Sequence, residues 1–247
     1  MEEGFVDTSK VFVRSISKYT AEKIIVKNHY THSFSACKYA LGVYYRIESS
    51  NEFFDGNEYR LIGCLTFGRP VGRSALKSIN ESLSFGSVLE LTRLFVMDGF
   101  GKNIESYVIS QSFHWLKQNA KEVKVLISYA DPEQNHLGRI YQATNWLYQG
   151  AGASALMPSY SIRLDETNKW IHSRTVSDRY GSSNIDHLKK CIGKTFYRKQ
   201  EAFKHRYIYF LCDKKEKKKI LSGLKHPIIN YPKDPKQFLQ NIETIEV

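Results

Sequence analysis

Four short stretches of this chain carry residue types that do chemistry. Asn28-His29-Tyr30-Thr31-His32 places two imidazoles three residues apart, so a continuing helix would set them on one face where they could meet one metal. Ser128-Tyr129-Ala130-Asp131-Pro132 ends an apolar run in a carboxylate, with Pro132 holding Asp131 extended. A carboxylate at the end of a buried strand lies in the crevice where α/β sheets bind ligands, although a turn or capping aspartate has the same local signature. In Gly138–Trp146, Tyr141 and Asn145 are four apart and share a face if the segment is helical. A core tyrosine hydrogen-bonded once fits that spacing equally well. In Glu90-Leu91-Thr92-Arg93 the strand period sends Glu90 and Thr92 to one side and Leu91 and Arg93 to the other.

The elements that must position these groups alternate. Val11–Ser15, Ala40–Ile47, Arg60–Phe67 and Val88–Val96 read as strands, and Thr20 is a candidate cap for a helix running toward His29. A Ser- and Gly-rich connection, residues 71–86, precedes the last of these strands. An amphipathic helix over Lys102–Asn119 leads to Val123–Ala130, whose continuous apolar run predicts a buried central strand. A short helix, Gly138–Trp146, and strands at 147–150 and 159–164 follow. Beyond residue 165 a helix over Asp186–Ile192, an aromatic strand over Lys204–Leu211 and a short helix over Pro235–Asn241 are expected. The reading is one catalytic core over residues 1–165 and a basic C-terminal extension over 166–247, packed on the core.

This order resembles the GNAT acyltransferase fold: an α/β protein with a mixed, largely antiparallel sheet flanked by helices. In that fold a glycine turn after the third meander strand faces the pyrophosphate of coenzyme A, and backbone amides at a helix N-terminus suit such an anion. Gly99 and Gly101 occupy the turn here, but Asp98 and a single Gly-x-Gly depart from the usual basic, glycine-richer loop. A coenzyme A thioester is therefore a doubtful donor, and the group donor stays unidentified.

The formal net charge is +11, from 36 Lys/Arg and 25 Asp/Glu. Residues 1–150 hold 17 and 15 of these, and residues 151–247 hold 19 and 10, so the excess lies in the last two fifths. Such asymmetry suits a phosphate backbone, and Arg198, Lys199, Lys204, Arg206, Lys214 and Lys215 are the candidate DNA contacts. The four cysteines are scattered, with no Cys-x-x-Cys, which argues against a zinc ribbon and for reduced thiols in a cytoplasm. MEEGFVDTSK has no signal-peptide core, and no run of about 18 apolar residues occurs, so no membrane contact is expected.

Four segments together, NHYTHSF, LIGCLTFGRP, LELTRLFV and SYADPEQNHLGRIYQATNWLYQG, resemble the Mom family of bacteriophage DNA-modification proteins. The resemblance runs from about Lys27 to Gly150, with weaker similarity at Lys204–Leu211 and Tyr231-Pro232-Lys233. It implies a GNAT-like enzyme that converts the N6 amine of adenine in double-stranded DNA to a carbamoylmethylamino group, which protects phage DNA from restriction in the host cytoplasm. It also implies an iron site at His29, Tyr30, Asp131 and Tyr141, with Asp131, Tyr141 and Arg93 in the active site. Asn145 is a further candidate, as an amide can pair with the adenine edge. Plain acyl transfer would leave an amide on N6, so a carbamoylmethyl product needs more than thioester chemistry. Adenine N6 is paired in a duplex, so the base must be flipped out, with Tyr129, Trp146 or Tyr148 available to stack on it. An acetyl-CoA-dependent acyltransferase acting on a protein or small-molecule amine, and a DNA-binding protein without catalysis, are the other readings.

Overall fold

The structure is a computed structural model that describes all residues except 1–3, 48–57, 71–75, 152, 154–156 and 234–241. The helix expected over Pro235–Asn241 lies outside the described residues. Four strands form an antiparallel meander: β1 (Val11–Ser15), β2 (Tyr39–Ile47), β3 (Glu58–Gly68) and β4 (Val88–Val96). Helix α1 (Lys18–Asn28) connects the first two. Its cap is Ser17 and not Thr20, because the Ser17 hydroxyl accepts the Thr20 amide at 3.0 Å. Ala21 and Ile25, one helical turn apart, are fully buried against Ala40 and Cys64.

Helix α2 (Ile104–Asn119) is the crossover that lets β5 (Val125–Ala130) lie parallel to β4. The β4–β5 ladder spans only three pairs, from Val88↔Val125 to Glu90↔Ile127. Beyond it the strands no longer pair, and the Ser128 hydroxyl lies 2.9 Å from the Leu91 carbonyl that the ladder leaves open. A register shift between β3 and β4 at Thr66/Phe67 falls beside the same place. Helix α3 (Arg139–Ala143) and β6 (Leu147–Ala151) follow.

The chain forms two compact units, the first comprising residues 1–129, 138–150 and 206–231, the second 130–137, 151–205 and 232–247. It does not divide at residue 165. The aromatic strand β9 (His205–Phe210) enters the first unit's seven-stranded sheet, ordered β1-β2-β3-β4-β5-β9-β6. Both faces of β9 are apolar, as a central strand requires: Ile208 and Phe210 join a core with Val125, Ile127 and Ile220, while Tyr207 and Tyr209 meet the aromatic rings of α2, α3 and β6. Helix α6 (Lys214–Ser222) buries Ile220 in that core, so the charge run is a helix capped by Asp213. Residues 206–231 carry seven Lys/Arg against two Asp/Glu, so the basic C-terminal elaboration is concentrated in the first unit.

The second unit is a three-stranded antiparallel sheet, β10 (Ile242–Ile245), β8 (Phe196–Gln200) and β7 (Tyr160–Arg163) in that order. Helices α4 (Ser173–Tyr180) and α5 (Ile185–Ile192) contribute Val176 and Leu188 to a small core with Ile162 and Phe196.

Candidate active site

The place where β4 and β5 part is organised around Tyr141. This phenol sits on α3, is 8% exposed, and lies 2.8 Å from Ser128 on β5. The Ser128 hydroxyl has one proton to share between the Tyr141 oxygen and the Leu91 carbonyl. Burial pushes the Tyr141 phenol up to about 12, with the hydrogen bond from Ser128 opposing it and Tyr30, Glu90 and Tyr207 adding to it. The ring is held by Trp146 and Tyr207, with centroids 5.3 and 5.2 Å away. Tyr207 takes a hydrogen bond from the Gln142 amide at 3.1 Å and is itself pushed up to about 12 by burial. Ser128 and Tyr207 carry no role in the sequence reading. A lone serine in the run VLISYA was the available signal for Ser128; Tyr207 reaches the site through a strand pairing that no local pattern announces.

The helix α1 ends at His29, and Tyr30 stacks on its imidazole at 4.3 Å between centroids. Tyr30 is half exposed, and its phenol helps to raise the Tyr141 pKa, so this pair borders the same place. The Nδ1 atom of His29 lies 2.9 Å from the Thr31 hydroxyl and accepts the Thr31 amide at 3.2 Å. His32 does not share a helical face with His29. The helix has ended, His32 has a positive φ of 44°, and its Nδ1 lies 3.0 Å from the Val26 carbonyl. Arg93 ties this segment to β4 by donating to the Ser33 carbonyl and hydroxyl at 3.1 Å each, and to the Thr92 carbonyl at 2.7 Å. Its place is that of a group that positions the His29-Tyr30 segment.

Asn145 does not share a face with Tyr141. Helix α3 stops at Ala143, and Asn145 takes a left-handed conformation with φ 60°, its side chain exposed while Tyr141 is buried. Trp146 is fully buried and Tyr148 nearly so, which leaves neither a free ring face for a base, whereas Tyr30 is half exposed. Asp131 belongs to the second unit. One of its oxygens accepts the Glu133 amide at 3.0 Å, capping the turn Pro132–Gln134, and the other lies 3.4 Å from the Lys204 ammonium.

The glycine turn is occupied by the chain itself. The Lys102 amide donates to the Gly4 carbonyl at 2.8 Å, and Val6 donates back to the Lys102 carbonyl at 3.0 Å. A Cβ on Gly101 would stand 2.5 Å from the Val6 Cα, so the N-terminal segment lies directly on it; Gly99, with φ 90°, faces open space. This turn does not fit the pyrophosphate of coenzyme A. Among the basic candidates, Lys214 and Lys215 are exposed on α6. Arg198 pairs with Glu243, Lys199 with Glu133 and Lys204 with Asp131. Arg206 is fully buried and out of reach of a DNA backbone, which corrects its place among the candidate contacts.

The sequence profile of the Mom protein family matches residues 10–233 of this chain. The chain belongs to the Mom family. Among curated proteins it is similar to the methylcarbamoylase Mom of Escherichia phage Mu, with 26% identity over 223 residues, 90% of this chain and 83% of that relative. The match spans both units of this Mom-family chain, including β9 and α6. Among solved structures it is similar to Arabidopsis thaliana NAA60 in complex with acetyl-CoA, with a TM-score of 0.44, 12% identity and coverage of 81% of this chain and 99% of that one. It is also similar to spermidine N-acetyltransferase from Vibrio cholerae, with a TM-score of 0.41, 7% identity and coverage of 83% and 97%. The strand order described above, and not these values, carries the assignment of a GNAT-like mixed α/β sheet. Among the described residues no helix is long and apolar enough to cross a membrane.

Proposed function

We propose that this Mom-family chain is a DNA-modifying transferase that converts the N6 amine of adenine to a carbamoylmethylamino group, shielding phage DNA from restriction. The family match over residues 10–233 carries the reading. The relative from phage Mu, a methylcarbamoylase by name, supports the type of transferred group. The substrate is double-stranded DNA with the target adenine flipped out, because N6 is engaged in pairing inside a duplex. Tyr30, half exposed and near Tyr141, is in this reading the aromatic that meets the flipped base. The exposed Lys214, Lys215, Lys218 and Lys219 of α6 hold backbone phosphates without regard to sequence.

Iron is the metal that the family resemblance implies. Among the described residues no three His, Cys, Asp or Glu gather to hold a cation, and the site that the resemblance implies draws on tyrosine oxygens as well. His29, Tyr30 and Tyr141 supply one imidazole nitrogen and two phenol oxygens, a set that suits iron better than a soft metal. Bound there, iron would supply electrophilic activation of the incoming group. The protein's own part is to hold Tyr141 protonated by burial until the site is filled, with Ser128 donating to its oxygen, and to keep the His29-Tyr30 segment in place through Arg93. Asp131, the fourth donor that the resemblance implies, has its own test.

Mass analysis of nucleosides from the DNA of cells expressing this chain is the deciding measurement. Carbamoylmethyl-adenine is the expected result, lost in Asp131→Asn and in Tyr141→Phe while both variants stay folded. Unmodified DNA from the wild-type chain would sink the reading. Full modification by Asp131→Asn would make Asp131 a capping residue only. Acetyl-CoA-dependent acyl transfer is disfavoured by the N-terminal segment lying on the Gly101 turn.

A further inference from the structure

Among the described residues Arg206 is a cation without a counter-charge. Its side chain is fully buried in the first unit, and its Nη atoms donate to the Ser78 hydroxyl at 2.8 Å and the Ser78 carbonyl at 3.3 Å. Tyr129 and His226 face it as well, and no carboxylate pairs with it among the described residues. Its Nε–H is buried with no partner. A buried charge left uncompensated is costly, so a guanidinium held in this way calls for an anion.

Gln149 is the second anomaly. It is 4% exposed, and its amide nitrogen donates to the His226 carbonyl at 3.0 Å. That bond fixes the orientation of the amide, since the flipped form would set two oxygens against each other. The Gln149 Oε1 is then buried with no donor. Both groups lie on one face of the sheet. Arg206 is two residues before Ile208, Gln149 two after Leu147 and Tyr129 two after Ile127, and Ile208, Leu147 and Ile127 share one core on strands adjacent in the order β5-β9-β6.

We propose that Arg206 and Gln149 form a receptor for a phosphate that still carries a proton, either inorganic phosphate or a phosphomonoester. A phosphate oxygen accepts from the Arg206 Nε–H and supplies the missing negative charge, while the P–OH donates to Gln149 Oε1. Sulfate and carboxylates have no such proton at neutral pH, and neither does the phosphodiester of DNA. The site is therefore distinct from the lysines of α6. Ser78, Tyr129 and His226 are partly exposed, which puts the entrance on their side. Ordered water could satisfy Nε and Oε1 but would leave the charge unbalanced.

Calorimetric titration and thermal melting of the full chain test this, with inorganic phosphate, a nucleoside 5′-monophosphate and sulfate at matched ionic strength. Phosphate or the monophosphate should bind and raise Tm, with sulfate weaker by at least about tenfold, because it leaves Gln149 Oε1 unpaired. Preference between the first two identifies the source as a free ion or a monoester. Gln149→Met should bring sulfate and phosphate to similar affinity, and Arg206→Gln should lose both. Binding of neither phosphate probe would mean a bridging water and overturn the proposal. Equal binding of sulfate by the wild-type chain would mean an adventitious ion only and overturn it too. If Arg206→Gln does not fold, discrimination retained in Gln149→Met is the overturning result.

Discussion

Two basic stretches follow each other closely in the chain and have opposite fates. Arg198, Lys199, Lys204 and Arg206 lie on or beside β8 and β9, and each is engaged: three pair with Glu243, Glu133 and Asp131, and the fourth is fully buried. On α6, Lys214, Lys215, Lys218 and Lys219 stay exposed. The difference is one of period. A strand sends every second side chain inward, so a cation within it must find a carboxylate or be enclosed. A helix with a narrow buried face, here Ile220, leaves most of its circumference to water. Net charge by itself therefore locates solvent-exposed cations poorly; charge on the outer side of a helix locates them better.

The largest expected contrast is in stability. Arg206→Leu should destabilise the fold by roughly 2–4 kcal/mol, since Ser78 and Tyr129 lose a buried partner and the new side chain does not match the space. Each of the four exposed α6 lysines changed to Ala should stay within about 0.5 kcal/mol. Urea unfolding measures both; equal effects would erase the contrast. The second contrast is in DNA binding and rests on the proposed substrate. Changing Lys214, Lys215, Lys218 and Lys219 together to Ala should lower the slope of log affinity against log salt by roughly three to four. Arg198→Ala, already held by Glu243 at 2.5 Å, should lower it by less than about one. A larger effect from Arg198 would move the DNA surface to the second unit.

What was legible in the sequence follows the same division between local and distant causes. Strand β4 falls on Val88–Val96, as its pattern predicts, and β1 on Val11–Ser15. Helix α2 begins two residues later than expected because Asn103 adopts a left-handed turn after Gly101. The end of α3 was misread for a similar reason: the spacing of Tyr141 and Asn145 is helical, but Asn145 is a residue that tolerates φ 60° and turns the chain toward Trp146. The pairing of β9 into the first sheet was not legible at all. Sixty residues separate Lys204–Leu211 from the end of α3, and nothing in RYIYF says which strand it will join. Tyr207, Ser128 and Tyr141 thus meet through topology, and the site's inner wall was invisible even though its outer residues, His29 and Tyr30, stood in one motif.

The smallest expected effect concerns the second unit, where Glu201 offers a comparison with Arg206. Glu201 is a mostly buried carboxylate that, unlike Arg206, is fully provided for. It accepts from the Ser161 hydroxyl at 2.6 Å and from the amide and hydroxyl of Ser173 at 2.8 Å each, and His172 lies 3.3 Å away. Burial by itself would raise its pKa, but these hydrogen bonds and His172 outweigh that and hold it below the usual 4.5. A carboxyl lowered on folding contributes stability that is present above its unfolded value and is lost as pH falls through the folded one. Wild-type stability should therefore decline below about pH 4.5 partly through this group. Glu201→Gln should cost about 1 kcal/mol at pH 7 and decline less steeply in acid. Urea midpoints at pH 7, 5 and 4 read the two curves, which should converge as the pH falls. Parallel curves would show that Glu201 is held no better than an exposed acid and that the contrast with Arg206 is one of burial alone.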